Sequence, residues 1–116
     1  MVPYGGGCVA VPVFGDCRQG TVISAIATRD LWLAIDGRTG VTPAIDSFEV
    51  TADDGGPAVR HRYGGTTPVE WWRLDGAGHS PPSTSVSLAR DLSGIQNRDV
   101  EFAEIAWTFF AARLPG

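Results

Sequence analysis

The stretch Val69-Glu70-Trp71-Trp72-Arg73-Leu74-Asp75-Gly76-Ala77-Gly78-His79-Ser80-Pro81-Pro82 decides how this chain reads. Val69 to Leu74 has the composition of a strand. Its apolar residues fall on both faces, as expected for a strand covered on both sides in a mixed or parallel sheet. Two glycines follow within a few residues, and a histidine comes directly after the second. A general base must be held rigidly while its imidazole reaches a cleft at the sheet edge. A strand end supplies the rigidity, and Gly76 and Gly78 let the backbone turn sharply enough to present His79.

Working outward, the segment from about Ser24 to Asp36 reads as a helix. Ser24 is placed to accept an amide hydrogen bond from the first turn. Ile26, Leu31, Trp32, Leu33 and Ile35 give an apolar side at near-helical spacing. Gly37 is a natural stop, because glycine tolerates the left-handed conformation that ends helices. Strands are expected at Ser47 to Thr51 and Val59 to Tyr63, with a hairpin turn at Asp53-Asp54-Gly55-Gly56 between them. Residues 76–96 are rich in Ser, Pro and Gly and read as a loop. A closing helix is expected from about Arg98 to Arg113, capped by Asn97 or Asp99, with Glu101 and Glu104 favouring its N-terminal dipole and Arg113 its end. Phe102, Ile105, Ala106, Phe109 and Phe110 give it an apolar stripe. Residues 1–20 read as irregular around the short apolar run from Cys8 to Phe14. The order of elements suits the last third of an α/β domain better than a complete one.

The chain has 116 residues, the length of one domain, and 43% of them are hydrophobic against 19% charged, which is a globular composition. The formal net charge is −4, and the nine basic residues, all arginine, are scattered. A nucleic-acid binder needs a basic face to displace counterions, so nucleic acid is excluded as a partner. No stretch approaches the roughly 20 apolar residues that span a bilayer, so no membrane role is expected. The N-terminus has neither the basic nor the apolar region of a signal peptide. Cys8 and Cys17 could close a small loop by a disulfide in an oxidising compartment, or remain two thiols. Two cysteines with two distant histidines do not make zinc-ligand spacing, so no metal ligands are assigned.

Gly76-Ala77-Gly78-His79-Ser80-Pro81-Pro82 resembles the Gly-x-Gly-His-x-x-Pro turn of the polyhydroxybutyrate-depolymerase-like esterases, a group that includes feruloyl and acetylxylan esterases. Ser24 to Gly37 is similar to the helix after their acid-bearing strand, and Ile105-Ala106-Trp107-Thr108-Phe109-Phe110 to their closing helix. Val2-Pro3-Tyr4-Gly5-Gly6 is similar to the tail of the segment that carries their catalytic aspartate, which on that alignment would fall just before Met1. The resemblance implies that residues 1–116 form a single partial α/β-hydrolase domain without the nucleophile-bearing half. It implies His79 as general base, no cofactor, and an ester or polysaccharide-linked substrate. The Gly-x-Ser-x-Gly elbow is absent from the sequence, and the fold's chain order of serine, acid, histidine leaves only the histidine here. The family's cysteines near the first helix end and before the histidine strand are replaced by Arg38 and Gly64-Gly65, so their disulfide does not carry over.

Two further functions are open at this stage. A half-domain exposes an unpaired strand edge and an apolar face, which would drive homo-oligomerisation or binding to a complementary half-domain. Trp71 and Trp72 suggest a carbohydrate-binding module, but adjacent strand residues point to opposite faces and cannot make one platform. Asp75 is expected to end the strand and cap its turn, Ser80 and Ser83 sit on no elbow, and His61, between Arg60 and Arg62, reads as a surface residue.

Overall fold

In the computed structural model, residues 3–9, 17 and 19–116 are described. Val2 of the expected Val-Pro-Tyr segment and most of the Cys8–Phe14 run therefore lie outside the described residues.

The chain divides into two compact units: residues 1–42 with 63–69, and residues 43–62 with 70–116. In the first unit, β1 (Gly7–Cys8) pairs antiparallel with β2 (Thr21–Val22), and a disulfide joins Cys8 to Cys17. Helix α1 (Ala25–Ile35) starts at Ser24, whose hydroxyl accepts from the Ala27 amide at 3.0 Å. It stops at Asp36, and Gly37 follows with φ +67°. The capping serine and the left-handed glycine set both ends, so the helix falls where side-chain chemistry places it. Past its end, the Arg38 guanidinium donates to the carbonyls of Tyr63, Gly64 and Thr67 and pairs with Asp36 at 2.9 Å. One planar donor fork thus ties the helix end to the 63–67 segment.

Strands β3 (Ala44–Phe48), β4 (Ala58–Tyr63) and β5 (Val69–Leu74), which belong to the second unit except for the end residues Tyr63 and Val69, form one sheet in the order β3-β4-β5. Strands β3 and β4 are antiparallel, with Ala44 opposite Arg62 and Phe48 opposite Ala58. Their connection, residues 49–57, includes Asp53 at φ +66° and glycines 55 and 56 with positive φ, so the turn falls where the sequence suggested, but the first strand is Ala44–Phe48 rather than the expected Ser47 to Thr51. A short helix, α2 (Arg90–Ser93), interrupts the loop expected over 76–96. Helix α3 (Phe102–Ala111) closes the unit.

The α/β-hydrolase architecture expected from the sequence is not what forms. The sheets have two and three strands, are antiparallel, and are accompanied by a few short helices. The reason lies in the connections. A parallel neighbour needs a crossover of a dozen or more residues, usually a helix. Only residues 64–68 join β4 to β5, and a hairpin joins β3 to β4. The one long helix between strands, α1, links β2 to β3, which belong to different sheets. The apolar composition of β5 on both faces suggested burial in a parallel sheet. All six of its residues are instead half-buried.

Helix α3 also begins later than expected. Glu101 holds the cap position without a side-chain hydrogen bond, and Asn97 and Asp99 are drawn into the interior instead. Among the described residues the strongly buried apolar side chains include Leu33, Ala58, Val59, Tyr63 and Pro82. The helices contribute little to that set: α1 buries Leu33 alone, and α3 buries none of its residues.

Candidate functional site

His79 emerges from a turn that is fixed by backbone contacts. Strand β5 ends at Leu74, and Gly76 takes φ +70°. The amide of Gly78 donates to the Ile95 carbonyl at 2.6 Å, and that of His79 to the Ser93 carbonyl at 2.5 Å. A Cβ on Gly78 would lie 2.7 Å from Gly94 Cα, so only glycine lets the two backbones approach this closely. The histidine is held between the end of β5 and the segment after α2, yet it is exposed to solvent. Among the described residues its ring makes no hydrogen bond or ion pair.

Asp75 does not orient this ring. Its carboxylate takes a two-pronged bond from Arg73, Nε to Oδ1 at 2.7 Å and Nη2 to Oδ2 at 2.9 Å. Ser80, next to the histidine, turns inward and is 8% exposed. Its hydroxyl has no partner among the described residues. It lines an apolar hollow of about 320 Å³ with Trp72, Leu74, Pro82, Phe102 and Ile105. Ser83 is claimed by Glu101, whose Oε2 also accepts from Ser85 Oγ at 2.9 Å and the Thr84 amide at 3.0 Å. The Ser83 and Ser85 hydroxyls hold the Glu101 carboxyl below its ordinary range.

The two tryptophans go to different neighbours. Trp72 stacks on Phe48 with centroids 5.6 Å apart, and the Arg60 guanidinium lies 5.5 Å from the Trp72 ring. Trp71 meets the His61 ring at 4.7 Å. His61 is therefore a buried residue rather than the surface residue expected from its arginine neighbours. The signal was present: Val59, His61 and Tyr63 alternate along β4 and all three are buried.

The largest departure from the sequence reading is a buried polar cluster beneath the hairpin turn. Asn97 is fully buried, and its Nδ2 donates to the Gly56 carbonyl and to Asp99 Oδ2, both at 3.0 Å. Asp99 Oδ1 accepts from the amides of Val50 at 2.6 Å and Thr51 at 2.8 Å. Burial alone would raise the Asp99 carboxyl, but the Thr51 and Val50 amides and Asn97 outweigh it and hold it below its ordinary value. Asp54 Oδ2 accepts from the Arg98 amide at 2.6 Å. These residues read as turn and cap formers in the sequence. Nothing local announces that they meet 41 to 49 positions apart.

No family model, curated protein or solved structure matches the chain. Among the described residues no helix is long and apolar enough to cross a membrane.

Proposed function

We propose that this chain supplies the general base of an ester-cleaving site, with His79 taking the proton from a nucleophile presented by another polypeptide surface. One observation carries the reading. The His79 ring is exposed and unclaimed by any described side chain, while its backbone is bonded to the 93–95 segment. A histidine kept for structure would be expected to spend its ring on a hydrogen bond or a packed face, as His61 does on Trp71. The hollow lined by the neighbouring Ser80, though not by His79 itself, is largely apolar and supports an ester with an apolar acyl group over a charged one.

An exposed imidazole attacks an activated aryl ester on its own, slowly, and water then hydrolyses the acyl-imidazole. The chain should therefore release p-nitrophenolate from p-nitrophenyl acetate above the buffer rate, and His79→Ala should return it to that rate. Full activity in the variant would contradict the proposal.

Completion by a second surface is favoured by a separate observation. Helix α1 exposes Ile26, Leu31, Trp32 and Ile35, and α3 exposes Phe102, Trp107 and Phe110, the last three at 54%, 68% and 62%. Soluble monomers rarely leave such stripes uncovered. The occupant we propose is a complementary segment that carries the nucleophile; without it, copies of this chain should cover each other. Light scattering after size exclusion should give a mass that rises with concentration. A mass fixed at the monomer value would remove this part of the reading.

A further inference from the structure

Three carboxylates converge in the second unit with nothing cationic among them. Glu49 follows β3, Asp54 sits in the hairpin connection, and Asp99 precedes α3. One oxygen from each lies within 4.8 Å of the other two. Asp54 is 4% exposed and Asp99 8%, whereas Glu49 is exposed. None of the three is in an ion pair among the described residues, and the Arg98 side chain turns away to the Thr84 carbonyl.

Burying an ionised carboxylate costs several kcal/mol unless it is paired or fully hydrogen-bonded. Asp99 meets that condition through its amide and Asn97 donors. Asp54 does not. Its Oδ2 has the Arg98 amide, but its Oδ1 is buried without a partner. Glu49 brings a third carboxylate oxygen within 4.8 Å of the other two from the exposed side. A buried oxygen lacking a donor, beside two further negative charges, is what a cation would satisfy.

We propose that Glu49, Asp54 and Asp99 bind one hard divalent cation of the calcium class. The donors are all carboxylate oxygens, with no thiolate or imidazole, which disfavours zinc and copper. Opposite ligands on calcium at 2.3–2.6 Å stand roughly 5 Å apart, which fits the spread of these oxygens. Magnesium demands shorter, near-octahedral bonds and gives up water reluctantly. Glu49 leaves the site open on its solvent side, so water completes the shell. Affinity should be on the order of 10⁻⁴ to 10⁻³ M, the weak end of the calcium scale, because the chain supplies few ligands.

The test uses the full chain after chelator treatment, titrated with calcium chloride by calorimetry and followed by thermal unfolding. The expected result is one calcium per chain, a raised unfolding midpoint, and binding weakened about tenfold or more in Glu49→Gln. Glu49 is exposed, so this variant keeps the fold; its unfolding midpoint without calcium should equal or exceed that of the parent, because a repulsive charge is gone. No heat and no midpoint shift up to about 10 mM calcium would overturn the proposal. So would unchanged binding in Glu49→Gln, or magnesium binding as tightly as calcium.

Discussion

Gly76→Ala is expected to lower stability by about 3 kcal/mol, a large share of the roughly 5–15 kcal/mol that holds a domain together. Two costs combine. The glycine sits at φ +70°, where a side chain costs about 1–2 kcal/mol. A Cβ there would also strike the backbone of Gly55, lying 2.8 Å from its carbonyl carbon and closer still to its oxygen. Neither partner is a side chain that can swing aside, and overpacking of this kind costs about 1–3 kcal/mol more. Gly55 has φ +103°, and a Cβ on it would in turn lie 2.9 Å from the Gly76 carbonyl carbon, so it cannot yield easily. Urea unfolding followed by tryptophan fluorescence would measure the change. A midpoint within error of the parent would mean that the turn before His79 is not the rigid bend described above.

Asn97→Ala should cost about 2–4 kcal/mol, because it strands several groups at once. The Gly56 carbonyl and Asp99 Oδ2 lose their donor, and the Asp99 amide loses the Asn97 Oδ1 acceptor at 3.2 Å. Asn97 is completely buried, so water reaches those groups only if the structure opens. The hairpin turn and the segment before α3 should loosen together, since Asn97 and Asp99 bond to residues 50, 51 and 56. Hydrogen exchange would show the Val50 and Thr51 amides losing protection in the variant. Retained protection there, with unchanged stability, would show that the network is incidental.

The elements legible in the sequence are those fixed by local chemistry. Ser24 and Gly37 bracket α1, the Asp-Asp-Gly-Gly run turns the hairpin, and β5 runs into the glycine bend at His79. What composition could not give is the pairing of strands. An apolar strand looks the same in a parallel sheet and in an antiparallel one half-covered on each face, and the short link over residues 64–68 carries the distinction. The cap positions failed for a related reason. Asp99 can cap a helix or satisfy amides across the unit, and the choice depends on Val50 and Thr51, nearly fifty residues earlier. His61 was hidden by its arginine neighbours, although the alternation along β4 pointed inward.

At the candidate site the sequence singled out the histidine and its bend but not what surrounds them. The backbone bonds from Gly78 and His79 to residues 93–95 depend on α2, which lies in a stretch that reads as loop. The sequence gives neither Asp75 nor Ser83 a catalytic part. Each is engaged elsewhere, with Arg73 and with Glu101 respectively.

The imidazole of residue 79 being displayed to solvent and held ready is open to one direct measurement: the rates at which diethylpyrocarbonate modifies each histidine in the native chain, resolved by peptide mass spectrometry. His79 should react at close to the rate of unhindered imidazole, while His61, packed on Trp71, should lag by about tenfold or more, as buried groups do. Protection of His79 equal to that of His61 would contradict the account.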